Sequence, residues 1–248
     1  MGVIGRLAAA AVRRTRGWRP SAIAQRRRMD RESERLVGEV EGRGFETSDS
    51  FKDYLYAQIR RSLPISRPQP GQPMIERTRY LTHLLREHLG DDERLGASVL
   101  CVGCRDGREL DALQSVVGPE GQVTGLDLFA QDPRIQVGDM HKMPFDDARF
   151  DGLYSSHNLE HAYDLDRAVG QYLRVVRPGG WLIVEVPVRF EPTATDWQDV
   201  GSAEGLVERF GAAVSDVLVC EENTRQVRGL EKVSARMLVR RGAERSTS

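Results

Sequence analysis

The chain has 248 residues, 40% of them hydrophobic, enough for one large α/β domain with extensions and unlike a fibrous, collagenous or wholly disordered protein. Three cysteines, two of them close together in an apolar stretch, do not make a disulfide framework, so a reducing cytoplasm is the expected setting. The net charge of −1 conceals an asymmetry: residues 1–29 hold eight arginines and no acid, and the other 28 basic and 37 acidic residues leave the body near −9, which speaks against a broad nucleic-acid-binding face.

The arginine-rich head (residues 1–29) contains one apolar run, Leu7 to Val12. It is too short to span a bilayer and short for a secretory leader. The head reads as a solvated extension, with peripheral contact to anionic lipid as the alternative. Arg6 stands where a myristoylation signal needs Ser or Thr.

Residues 30–95 read as a helical annex or lid. Phe51, Tyr54, Leu55, Ile59 and Leu63 recur at helical spacing behind the candidate caps Ser48 and Ser50. PISRPQPGQP then breaks the pattern as an extended connector. A second helix is expected from about Ile75 to Leu89, stopped by Gly90.

From residue 96 to 248 the texture changes to short apolar runs alternating with helical stretches: SVLCV, then DGRELDALQSVV, QVTGLDL, RIQVG, FDGLYSS, DLDRAVGQYLRVV and WLIVEVP. Such alternation predicts an α/β fold with a doubly wound, Rossmann-like, mostly parallel sheet. Behind the helix SAEGLVERF, the runs AVSDVLVCEE and KVSARMLVRR predict an antiparallel closing hairpin at the sheet edge.

Gly103 and Gly107 lie where the chain leaves SVLCV and enters a helix, so backbone N–H groups there can approach a ligand closely. A ligand in such a sheet belongs at the carboxyl ends of the strands, beside this first one. Asp127, twenty residues beyond Gly107 at the end of QVTGLD, stands where an acid takes ribose hydroxyls. Gly138-Asp139-Met140, after the third strand, offers a carboxylate and a thioether to an adenine ring.

Cys101-x-x-Cys104 reads as core rather than as a redox or zinc pair, because no second CxxC exists and Cys220 is more than a hundred residues away. His157-x-x-x-His161 has metal-pair spacing but lacks the HExxH order, and no metal is expected. Both histidines are candidate general bases for a hydroxyl acceptor, His157 the better placed at a strand's carboxyl end. Glu160 and Asp164 read as caps or solvated acids at the next helix. Trp197, in RFEPTATDWQDVG, either anchors a surface loop or shapes an acceptor pocket.

The blocks VLCVGCRDGREL, GLDLF, GDMHKMPFDDARFD, SSHNLEHAYD and RVVRPGGWLIVEVP stand in that order between Val99 and Pro187. This arrangement resembles the compact class I S-adenosylmethionine-dependent methyltransferases over about 90 continuous residues. The resemblance implies S-adenosylmethionine as cofactor and methyl transfer to an oxygen or nitrogen nucleophile of a small-molecule acceptor. It implies that Gly103 and Gly107 line the methionine part, that Asp127 binds the ribose, that Asp139 and Met140 contact adenine, and that Cys104, Arg105 and Leu128 belong to the same cofactor site. Ser156 and His157 would close the fourth strand over the methyl-transfer face. The family's first-strand acid is replaced by Cys101, and its middle glycine by Arg105. The alternative is a degenerate fold acting as a binding or scaffold module, or a non-methylating enzyme that retains the pocket. Acceptor identity and oligomeric state are open.

Overall fold

The computed structural model describes residues 27, 31, 34, 35, 56–59, 76–104, 107–193, 195–227 and 229–242. Arg105, the proline-rich connector and all of the arginine-rich head except Arg27 lie outside the described residues.

The expected second helix is α1 (Glu76–His88), followed by a single turn, α2 (Asp91–Arg94). The alternating part then runs β1 (Ser98–Val102), α3 (Arg108–Val117), β2 (Gln122–Asp127), β3 (Ile135–Val137), β4 (Phe150–Ser156), α4 (Leu165–Val175) and β5 (Val176–Val188). It closes with α5 (Ala203–Phe210), β6 (Val214–Val227) and β7 (Leu230–Arg241). The seven strands form one sheet in the order β3-β2-β1-β4-β5-β7-β6. All neighbours from β3 to β5 are parallel, and β7 is antiparallel to both β5 and β6. The doubly wound sheet with its antiparallel closing hairpin is therefore present.

Strand periodicity sorts the core into two layers. On β1, Leu100 and Val102 join the layer under α4 and α5, whereas Val99 and Cys101 join the layer under α1 and α3. On β5, Leu182, Val184 and Val186 face the first layer, and Trp181 and Ile183 the second. α1 thus belongs to the core of the sheet: Leu81, Leu84 and Leu85 pack with Leu110 and Leu113 of α3. Thr78 of α1 and Tyr154 of β4 both reach the buried Glu109 carboxylate at 3.4 Å, a polar link through an otherwise apolar layer.

Helix starts follow local chemistry. Asp164 caps α4, accepting a hydrogen bond from the backbone N–H of Arg167 at 3.0 Å, and Ser202 does the same for Gly205 at the start of α5. α3 instead begins at Gly107 in the left-handed region (φ 84°), which puts a bare helix N-terminus at the end of β1.

Candidate active site

The carboxyl ends of β1, β2 and β4 meet over a narrow cleft of about 60 Å³. Its walls include Gly103, Asp127, Leu128, Asp139, Met140, His157 and His161, seven of the candidates named from the sequence. Gly103 adopts φ 76°, and a Cβ on it would lie 2.6 Å from Asn158 Oδ1, so only glycine lets β1 turn this close to the cleft floor. Asn158 is fixed from below: its amide donates to the Tyr172 hydroxyl of α4 at 3.2 Å and to Met140 Sδ at 3.3 Å. Tyr172 is held in turn by Ser155 Oγ at 2.9 Å.

Three expected contributors do not line it: Gly107 stands back at the start of α3, and Cys104 and Ser156 are turned away. The Cys104 side chain is fully buried in the layer under α1 and α3, its thiol within 3.9 Å of the Leu126 carbonyl, so only its backbone can serve the cleft. Ser156 is buried in β4 and does not line the cleft. For Ser156 strand alternation accounts for this, since it shares a face of β4 with the buried Tyr154. Burial pushes the Cys101 and Cys104 thiols above their ordinary range, in keeping with packing rather than redox chemistry. Among the described residues no group of His, Cys, Asp and Glu has the arrangement of a metal site.

Asp139 is engaged more deeply than its place on the cleft wall suggests. Its Oδ1 accepts hydrogen bonds from the backbone N–H of His141 at 3.1 Å and from His141 Nδ1 at 2.6 Å. The His141 ring is sealed from solvent and stacks on Tyr163 at 3.8 Å, and its Nε2 accepts from the Asp164 N–H at 3.4 Å. With Nε2 accepting, Nδ1 carries the proton that Asp139 receives as a hydrogen bond.

His157 ends β4 with φ 52°, an unusual conformation for a residue with a Cβ and a form of stored strain that concentrates at functional sites. Its Nε2 lies 3.2 Å from Glu185 Oε1, and its Nδ1 3.5 Å from Glu160 Oε1. Glu160 is not the helix cap or solvated acid expected: it is 3% exposed, turned under both histidines by the 3-10 turn Leu159–His161. The loop after β5 seals it, because the N–H groups of Trp197 and Gln198 both bond the Glu160 carbonyl, at 2.8 and 3.1 Å. Burial raises the Glu160 carboxyl above its ordinary range, against the pull of the His161 and His157 charges. Glu160 Oε2 is buried and makes no hydrogen bond among the described residues.

Glu185 behaves oppositely. Burial opposes its charge, but hydrogen bonds from His157 and Arg236 outweigh that and hold the carboxyl below its ordinary range. Arg236 of β7 forms a buried ion pair with Glu185, reaches Glu221 Oε1 at 3.2 Å and stacks over the Tyr80 ring of α1 at 4.4 Å. His161 donates from Nδ1 to the Thr195 carbonyl at 2.8 Å, and the same nitrogen lies 2.9 Å from Asp196. Burial disfavours the imidazolium, yet Asp196, Glu160 and the carbonyl together raise its pKa.

Gln58 also lines the cleft, and its amide donates to the Thr195 carbonyl at 2.9 Å, bringing a residue of the helical annex over the site. Sequence reasoning missed Gln58, His141, Asn158, Glu185 and Arg236. One signal was available: Glu185 is the only charge in the apolar run WLIVEVP, near its carboxyl end, where an acid needs a partner.

A second cavity of about 590 Å³ opens on the other side of His157. Glu160 and Glu185 line it with His157, and Pro187, Val188 and Phe190 supply apolar wall. His157 therefore borders both the narrow cleft and the larger cavity.

The cleft suits a nucleoside-containing cofactor in its chemistry: the left-handed Gly103 where the first strand turns toward a helix, an acid ending the next strand, and apolar Leu128, Phe129 and Met140. Residues 100–184 match the family model for a methyltransferase domain. The chain is 33% identical over 109 residues to an uncharacterized 37.1 kDa transposon protein of Streptomyces fradiae, a match covering 39% of this chain and only 32% of that protein. It is 28% identical over 223 residues to the O-methyltransferase cnsE of Penicillium expansum, covering 76% of each. Its fold is similar to that of the Burkholderia thailandensis 1,6-didemethyltoxoflavin-N1-methyltransferase, with a TM-score of 0.59 and 19% identity, covering 80% of this chain and 92% of that one. Residues 100–184 thus carry a methyltransferase domain of the class I S-adenosylmethionine-dependent type, with S-adenosylmethionine as the cofactor that goes with it.

Proposed function

We propose that the protein transfers a methyl group to an oxygen or nitrogen nucleophile of a small-molecule acceptor, with the cofactor in the narrow cleft and the acceptor in the larger cavity. The carrying observation is that His157 borders both spaces, so two substrates bound there meet at one wall. S-adenosylmethionine supplies a methyl group already activated on a sulfonium, which leaves the protein mainly the task of alignment.

The cofactor-facing roles fall to Gly103 and Gly107 for the methionine part, Asp127 and Leu128 for the ribose, and Asp139 and Met140 for the adenine. Arg105 remains a candidate for the carboxylate of the methionine part. The acceptor's proton goes to the His157–Glu160 pair. Both ring nitrogens of His157 face carboxylates, and an ionised carboxylate can only accept hydrogen bonds. Hydrogen bonds from His157 and Arg236 hold the Glu185 carboxyl low, whereas burial raises that of Glu160. The two groups face each other at His157 Nδ1 and Glu160 Oε1, 3.5 Å apart, and together are the candidate receiver of that proton. His161, held by Thr195 and Asp196, positions the loop instead.

The test is thermal unfolding with and without saturating S-adenosylhomocysteine. A ligand at a hundred times its dissociation constant adds about 2.7 kcal/mol, and the midpoint is expected to rise by roughly 5–10 °C. No rise at millimolar ligand overturns the proposal in favour of a binding module that has kept the fold alone.

A further inference from the structure

We propose that the cavity beside His157 takes an acceptor bearing an anionic group, a carboxylate or a phosphate, which pairs with Arg77. The proposal rests on the methyltransferase reading for the word acceptor, but not for the anion site itself.

Several charges around the cavity are already matched. Arg189 pairs with Glu222, Arg225 reaches Glu76 at 3.4 Å, Glu185 pairs with Arg236, and Asp196 lies 2.9 Å from His161. Arg77 is different. It lines the cavity from the first turn of α1, and its Nε is buried with no hydrogen-bond partner among the described residues. Nor does Arg77 form an ion pair among them. A guanidinium N–H without an acceptor is costly to bury, and its planar fork matches a carboxylate or phosphate in two parallel hydrogen bonds.

The opposite deficit lies at Glu160, whose buried Oε2 has no donor among the described residues. One molecule with an O–H or N–H at one end and an anion at the other satisfies both groups, and it presents its nucleophile beside His157. Apolar Pro187, Val188 and Phe190 suit the scaffold between those ends. Lys232, exposed on β7 at the same cavity, adds a second positive charge, next to the exposed carboxylates of Glu191 and Glu231.

The experiment uses the full chain saturated with S-adenosylhomocysteine and follows arginine side-chain and backbone NMR signals during titration with inorganic phosphate, benzoate, benzamide and benzylamine. Phosphate tests the phosphate source and benzoate the carboxylate source, while the other two supply a neutral and a cationic counterpart. At least one anion is expected to shift the Arg77 Nε signal and the Val233 and Ser234 amides saturably, at least tenfold more tightly than benzamide, with no binding of benzylamine. Arg77→Met should abolish the preference, and Arg77→Lys should restore part of it. Failure of both anions to bind, equal binding in Arg77→Met, or preference for benzylamine would overturn the proposal. Saturation by S-adenosylhomocysteine is read separately in the same samples: anion binding without it keeps the anion site and removes the methyltransferase reading, and the reverse removes only the anion site.

Discussion

Asp139 and His141 form a buried pair, Nδ1 of the histidine donating to Oδ1 of the aspartate at 2.6 Å on the wall of the narrow cleft. The pair fixes the orientation of the carboxylate assigned to adenine, because His141 is itself clamped between Tyr163 and the Asp164 N–H. His141→Phe keeps the ring against Tyr163 and removes the donor. It is expected to cost about 1–3 kcal/mol, the price of leaving one buried acceptor short of a partner. Urea unfolding measures that loss, and calorimetry should show weaker S-adenosylhomocysteine binding. Unchanged affinity in a destabilised variant would detach the pair from cofactor binding.

The same cleft shows what a sequence can and cannot reveal. Gly103, Gly107 and Asp127 are legible because each answers a local demand at a strand end, and strand and helix order follows from periodicity within single segments. His141, Glu185 and Arg236 are not legible in that way. Their meaning comes from partners that the sheet supplies: Arg236 meets Glu185 only because β7 inserts antiparallel beside β5, 51 residues away. Glu160 misled for a related reason. At the start of a helix it resembles a cap, and only the loop folded over it after β5 makes it a buried acid.

Gly103 is the sharpest local test of the cofactor cleft. With φ 76° and Asn158 Oδ1 2.6 Å from an added Cβ, Gly103→Ala meets both a conformational and a steric obstacle. The backbone term alone is about 1–2 kcal/mol, and S-adenosylhomocysteine affinity is expected to fall by about tenfold or more. Calorimetric titration decides it, with the circular dichroism spectrum as a check that the sheet persists. Wild-type affinity in the variant would mean that the β1 turn is not where the cofactor lies.

The three thiols should separate cleanly. Cys101 and Cys104 are buried with thiols pushed up by that burial, while Cys220 is exposed on β6. A colorimetric disulfide reagent is expected to label one thiol in the native protein and all three after denaturation. Rapid native labelling of a second thiol would show that the β1 turn opens and that Cys101 or Cys104 is more than packing.

Stability should depend on pH through three buried groups whose signs differ. Glu160 is raised above its ordinary 4.5, so the fold binds its proton more tightly than the unfolded chain does, and this contribution is lost as pH rises through the raised value. His161, raised above 6.5, contributes fully below 6.5 and loses its contribution as pH rises through its folded value. Glu185, held low, contributes above 4.5 and loses its contribution as pH falls through its folded value. Urea unfolding between about pH 5 and 8 should therefore show falling stability toward the alkaline end. Glu160→Gln should flatten that fall, and an unchanged slope would mean that Glu160 is ionised in the fold.

Glu185 and Arg236 allow structure and positioning to be told apart. Removing one partner of a buried ion pair leaves the other charge uncompensated, so Arg236→Met alone is expected to cost about 3–5 kcal/mol. The double substitution Glu185→Leu with Arg236→Met removes both charges and should recover most of that loss, because apolar replacements of a buried pair are often neutral. What it cannot recover is the contact from Glu185 Oε1 to His157 Nε2 at 3.2 Å. The His157 ring-nitrogen signals should therefore move in the double variant while its unfolding midpoint returns toward wild type. If they stay in place, Glu185 serves the fold alone, and the orientation of His157 comes from its strained backbone and Glu160.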